Sequence, residues 1–366
     1  MVLGRTRTIL FIVYLISYIT SQFYFSASGS LQLSNYLQLI VFLFIYLIDG
    51  IRVSVVKTFP FRLATFFTVY TILINGLFSL IYSDVSFLTS SLYFVFGLIL
   101  FYTTLYFSQF ILEFNRFLLV SSTCALLLLF ILWVLGYGNY YNFPRFNGFF
   151  NDPNQMAHWC LCLCTIPLLH EKGKVSSSSI LLVVISSFLI SLTMSRSAFV
   201  SVCLMLVYQL FFLRSNPKSI LFLLIVLIAV IFYLQVDGFY LDNLLFYIDR
   251  VQSTDINDQV DVRGYTRLLD YPEYLLFGAG QALDERFNSV FEIHSTWAGI
   301  LFYYGIFGLY IFISIIITII KKMKSSQGIL FAIPLLYGFS TFSVRTPIFW
   351  FFLGVAASQY FKYEKN

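Results

Sequence analysis

The chain has 366 residues, of which 59% are hydrophobic and only 11% charged, with a net charge of +5 and a mean hydropathy of +0.85. A soluble domain carries about a quarter charged residues, so a water-facing fold lacks the polar surface it needs, and the apolar abundance excludes disorder. Apolar residues run along the whole length, which excludes a soluble domain on one anchor and leaves a polytopic membrane protein.

The apolar runs are continuous, as from Ser219 to Val236. An outer-membrane barrel would alternate apolar and polar residues, so the expected fold class is an all-α membrane helix bundle. About twelve spans are expected, near 9–27, 33–50, 61–81, 87–107, 117–136, 156–170, 179–194, 197–213, 219–236, 296–320, 328–343 and 346–361. Residues 1–236 then form nine spans with short loops, 237–295 a large outer loop, and 296–366 three spans and a cytoplasmic tail. Arg5 and Arg7 before an apolar run imitate a signal peptide, with Ser26-Ala27-Ser28 as a cleavage-like site. An uncleaved first span is expected, because the run is long and eleven more follow.

Between the fifth and sixth spans, Tyr137 to Gln155 is rich in Asn, Tyr, Pro and Gly. Asn and aromatic side chains together suit sugar binding, although Asn-Gly and Asp-Pro are also ordinary turn dipeptides. The five Cys, at 124, 160, 162, 164 and 203, all fall in predicted spans. Cys160, Cys162 and Cys164 point to different helix faces and lack a matching pair at zinc spacing, so membrane packing is the expected role. His158 is expected to pack locally, and His170 to sit at a cytoplasmic helix end.

Thr193-Met-Ser195-Arg196-Ser197 separates the seventh and eighth spans. An Arg so near hydrocarbon needs a partner. A phosphate fits, with Ser195, Ser197 and the start of the next helix as further donors. In the outer loop, Tyr240 to Ile248 and Tyr271 to Phe277 are expected to form short helices on the bilayer surface, followed by a break at Gly278-Ala-Gly280. His294 ends the loop, and its company of outer arginines makes a general-base role worth stating.

The positive-inside rule orients the chain with both termini cytoplasmic. Fifteen of the 22 basic residues then lie inside, and 13 of the 17 acidic residues outside. The basic balance is thus a topology signal and does not point to nucleic acid. All nine Lys fall inside. The seven outer basic residues are all Arg: 145, 196, 250, 263, 267, 286 and 345. Topology needs only charge, whereas Arg adds a planar fork for phosphate or carboxylate. Salt bridges to outer acids are the plain alternative, weighed evenly for Arg250 and Arg286. A ligand role is favoured for Arg196 and Arg145, which have few acidic neighbours.

Four stretches then carry a family resemblance: Arg145-Phe-Asn-Gly-Phe-Phe-Asn-Asp152-Pro-Asn154; Ser195-Arg196-Ser-Ala; Arg263-Gly-Tyr-Thr-Arg267 with Leu276-Phe-Gly-Ala-Gly280; and His294-Ser295 with Gly305-Ile-Phe-Gly308. In order and in predicted face the chain resembles the O-antigen polymerase and O-antigen ligase group of bacterial membrane glycosyltransferases. The match covers roughly 137–310, while the first four spans agree only in hydropathy. Ligase-like members often have a richer His neighbourhood than His294-Ser295, which tilts the reading toward polymerase.

The resemblance implies an inner-membrane transferase without metal or cofactor, using glycans on undecaprenyl diphosphate at the outer leaflet. It implies His294 as the base, Arg196, Arg263, Arg267 and Arg145 as diphosphate ligands, and Asn154 and Asp152 as sugar contacts or loop-shaping residues. A chain-length regulator and a flippase of the same pathway would be partners. The alternatives are a ligase moving finished polymer to lipid A–core, and a lipid-linked oligosaccharide flippase. The flippase is disfavoured because the first nine spans hold no ionisable residue at mid-depth.

Overall fold

The computed structural model describes residues 2–26, 30–170, 177–212, 260–261, 263–282, 284–287 and 292–363. The ninth predicted span, the predicted surface helix at 240–248, Arg214, Arg250, Lys172, Lys174 and Lys218 lie outside them. The described residues are mostly helical. Helices α1 (Val2–Thr20), α2 (Leu33–Asp49), α3 (Val53–Val56), α4 (Phe59–Tyr82), α5 (Ser86–Phe110) and α6 (Phe114–Val134) come first. A two-stranded antiparallel ribbon follows, β1 (Asn139–Tyr140) pairing with β2 (Phe146–Gly148). Next come α7 (Pro153–Leu168), α8 (Ser177–Leu192) and α9 (Arg196–Phe212). The last elements are α10 (Arg267–Asp270), α11 (Thr296–Ile320), α12 (Ser325–Tyr337), α13 (Pro347–Ala357) and α14 (Gln359–Tyr363).

Helices α4, α5, α6 and α11 are long and apolar enough to cross a membrane. At 1.5 Å per residue they reach about 32–38 Å, more than the ~30 Å hydrocarbon core. Their burial pattern is inverted relative to water-soluble helices. Helix α4 turns Thr68, Thr71 and Asn75 inward and leaves Leu73, Leu77 and Leu80 on the outside. That arrangement suits hydrocarbon as the surrounding solvent. Small residues set the helix spacing: a Cβ on Gly97 of α5 would fall 2.3 Å from the Trp350 indole of α13, and one on Gly354 would fall 2.7 Å from Thr104.

Two helices end well short of the sequence expectation. Helix α1 stops at Thr20, seven residues early. Thr20, Ser21 and Gln22 turn their own side chains onto the carbonyls of Ile16, Tyr18 and Ile19 at 3.0, 2.7 and 2.9 Å, which takes up the helix end. Helix α12 stops at Tyr337, not 343. Beyond it, the Gly338 and Thr341 carbonyls both accept from the Thr296 N–H, at 2.7 and 3.0 Å, and so are drawn to the start of α11. At the opposite end, Asp49 is the hub of a polar cluster. Arg7 pairs with it bidentately at 2.8 and 2.9 Å, and Arg52 and Tyr106 also bond to it. The cluster joins α1, α2 and α5 on the predicted cytoplasmic side.

The Gly-x-Gly and Gly-x-x-Gly stretches form one packing unit. Gly305 sits inside α11 with φ 65°, which interrupts the helix. The carbonyls of Phe302 and Tyr303 on that turn accept from the N–H groups of Ala279 and Gly280, both at 2.9 Å. The contact is so close that a Cβ on Gly278 would lie 2.3 Å from the Tyr303 carbonyl oxygen, and one on Gly305 2.3 Å from that of Leu276. Buried Asn75 completes the lock, accepting from the Gln281 N–H at 2.8 Å and donating to Ser91 at 3.0 Å. Gly305→Val adds a Cβ into this contact at a dihedral that L-residues avoid. Monodisperse protein in detergent is expected to disappear, as read by size-exclusion chromatography. A wild-type profile would show that this packing is dispensable.

Candidate active site

Helix and loop ends on the predicted outer side enclose a cavity of about 650 Å³. It draws together side chains far apart in sequence, and each is placed by a local device.

Arg145 lies in the turn between β1 and β2, where its carbonyl accepts from the Tyr141 N–H at 2.9 Å. Its side chain is 9% exposed. Nε donates to the Thr193 carbonyl at 3.3 Å, and the guanidinium lies 5.9 Å from the Tyr141 ring centroid. Burial lowers its pKa, against the opposing pull of Asp152. A guanidinium remains charged regardless. Asp152 caps α7, accepting from the Asn154 N–H at 2.7 Å, with Pro153 at the first helical position. Asn154 gives its carbonyl to the Tyr337 hydroxyl at 3.1 Å. Asp152→Ala is expected to lose about 1 kcal/mol of stability, seen as a lower melting temperature in detergent. An unchanged melting temperature would show that the cap contributes nothing.

Arg196 opens α9 after a tight turn in which Thr193 is fully buried and Met194 has φ 51°. The neighbouring hydroxyls tie this turn to the loop after α12. Ser195 lies 3.3 Å from the Tyr337 hydroxyl, and Ser340 donates to Ser197 at 2.6 Å. Arg263 reaches the same loop, with Nη1 donating to the Ser340 carbonyl at 2.6 Å.

Along 292–294 burial alternates, with Ile293 inside between two more exposed neighbours. Ile293 is fully buried, its N–H donating to Tyr303 at 3.1 Å. Glu292 and His294 line the cavity. The His294 N–H donates to the Arg263 carbonyl at 3.1 Å, which ties the backbone of His294 to the arginine segment. Ser295 caps α11.

Six of the seven residues expected at the site therefore line one cavity: Arg145, Asp152, Asn154, Arg196, Arg263 and His294. Arg267 does not line it. It begins α10, is 5% exposed, and packs its guanidinium under Gly264. A turn through Gly264, at φ 72°, separates it from Arg263 and carries it into the protein. Arg286 also turns elsewhere. It donates to the Ala279 and Gly280 carbonyls at 2.8 and 3.0 Å, with Phe78, Tyr82, Phe87 and Phe287 around its guanidinium. It holds the Gly-x-Gly loop in place.

Two charged lining residues carried no motif. Arg345 belongs to the outer arginines but sits in a short loop between apolar helices. Glu292 is its partner at 2.7 Å. The alternation from Glu292 to His294 was the available signal for the latter. Tyr337 was hidden inside an apolar run. His158 is buried within α7, 3.4 Å from Cys162 and stacked on Tyr337.

The cavity thus sets four guanidinium groups against the carboxylates of Asp152 and Glu292. Arg145 and Arg263 donate to carbonyl oxygens, which leaves their charge uncompensated by those bonds. Such a cavity attracts a multiply charged anion. Among the described residues, no three His, Cys, Asp or Glu side chains are grouped as they would be to hold a metal ion. No protein-family model matches the chain, and no curated protein matches it.

Proposed function

We propose that the chain is a polysaccharide polymerase that joins oligosaccharide repeat units carried on undecaprenyl diphosphate. In this reading it spans the bacterial inner membrane about twelve times with both termini cytoplasmic, and works at the outer leaflet. The observation that carries the reading is the meeting of Arg145, Arg196, Arg263 and His294, from four separate matched stretches, around one cavity.

The chemistry needs no covalent enzyme intermediate. The acceptor hydroxyl oxygen forms a bond to the anomeric carbon of the donor glycan. The bond from that carbon to the diphosphate oxygen breaks, and undecaprenyl diphosphate leaves with the electron pair. His294 takes the hydroxyl proton, because an alcohol is far too weak an acid to ionise near neutral pH. The arginines bind the diphosphate and stabilise the charge that grows on it. Attack opposite the leaving group inverts the anomeric centre.

A surface-polysaccharide gel on a deletion strain, complemented with the wild-type gene, tests the proposal. Loss of polymer with a single repeat retained on the surface lipid is the expected outcome. Loss of every repeat would identify a ligase instead. Purified protein that lengthens lipid-linked repeats in micelles would exclude a flippase, since no membrane is there to be crossed.

A further inference from the structure

The first two helices carry none of the matched stretches, yet the turn joining them walls the cavity with Ser21, Tyr24, Gln32 and Asn35. That turn is held by its own amides. Gln32 Oε1 accepts from the Phe25 and Ser26 N–H groups at 3.0 and 2.9 Å, and Asn35 Oδ1 accepts from the Gln32 N–H at 2.8 Å. Trp159 fastens it to α7: its indole N–H donates to Ser21 at 2.9 Å, and the ring is 2% exposed. Phe150 packs between Tyr24 and Trp159, with ring centroids 5.4 and 5.5 Å away.

This wall differs in chemistry from the arginine segments. Neither the turn at 21–35 nor the first turns of α7 contain Lys, Arg, Asp or Glu. Gln155, one turn before Trp159, also lines the cavity, and its Oε1 is buried without a hydrogen-bond partner. An acceptor shut away from water with no donor is destabilising, and a ligand hydroxyl that reaches it after a side-chain rotation removes the deficit. Amides offer both donors and acceptors, as sugar hydroxyls do, and aromatic rings suit the apolar face of a pyranose. A cavity of about 650 Å³ has room for more than a diphosphate.

We propose that this wall is the acceptor subsite, and that it takes a neutral pyranose-class sugar through Gln155, Tyr24 and the amide-held turn. The proposal rests on the glycosyl-transfer reading above. It separates the two substrates by chemistry, with the anion held by arginines and the sugar by uncharged groups from the N-terminal hairpin and α7.

The test uses full-length protein in nanodiscs and two probes. One is inorganic pyrophosphate. The other is free repeat-unit oligosaccharide, released by mild acid from the lipid-linked pool of producing cells. Gln155→Leu is expected to weaken oligosaccharide binding about fivefold, the value of one hydrogen bond, with pyrophosphate affinity unchanged. Arg263→Ala is expected to do the reverse, and melting temperatures check that both variants fold. Pyrophosphate binding without oligosaccharide binding in the wild type overturns the subsite, as does equal oligosaccharide affinity in a folded Gln155→Leu protein. Oligosaccharide binding that responds to Gln155→Leu, with no pyrophosphate binding, supports the subsite and overturns the diphosphate reading.

Discussion

Cells carrying His294→Ala are expected to make no surface polymer while still accumulating single-repeat glycolipid. Removing a general base typically lowers a rate by 10²–10⁴-fold, enough to empty a polymer ladder. The structure gives reason to expect a normal fold in this variant. The residue is exposed, and its backbone N–H, not its ring, makes the bond to Arg263. The neighbouring anchors, Ile293 and Ser295, are untouched. The effect should therefore appear at wild-type protein level, measured by immunoblot beside the polysaccharide gel. A full-length ladder at that level would remove the assignment. Glu292, also on the cavity wall, is paired with Arg345 and is the control. Glu292→Gln should retain measurable polymer if His294 is the base.

Arg196→Lys is expected to reduce polymerisation roughly 10- to 100-fold although charge is kept. Lys is a point charge on a flexible stem, so one of two parallel bonds to phosphate is lost. A hydrogen bond to a charged group contributes about 1.5–3 kcal/mol, which corresponds to that range. Arg196 opens α9 from a turn held by Ser195, Ser197 and Ser340, so its backbone is fixed independently of its side chain. Rates on lipid-linked repeats should fall for Arg196→Lys and not for Arg286→Lys, since Arg286 holds a loop away from the cavity. Equal loss in both variants would indicate general damage instead of phosphate binding.

The long apolar helices were legible in sequence because hydrocarbon leaves few options: an unbroken run of the right length must bond its own backbone. Helix α11 begins and ends where its run does. The cavity arginines were legible for a related reason, since topology requires charge but not Arg, and their excess over Lys on the predicted outer side was a residue-specific signal. What remained hidden depends on contacts between distant segments. The early end of α12 combines a local signal, Gly338 at its C-cap, with the capture of two carbonyls by the Thr296 N–H, which nothing within residues 328–343 foretells. Arg267 shares residue type and loop with Arg263, yet the turn through left-handed Gly264 separates a cavity-lining side chain from a buried one. The proposed acceptor wall was hidden because Gln32, Asn35 and Gln155 resemble ordinary polar caps until folding brings them to one cavity.

The break in α11 has an evolutionary consequence. Gly278 and Gly305 each occupy space that the other's segment would need for a side chain. Neither can acquire a Cβ while the other segment keeps its path, and changing both would crowd the contact twice over. No single compensating substitution is open to the chain at this point. Its descendants are expected to retain both glycines or to rebuild the whole loop, with intermediates purged by selection.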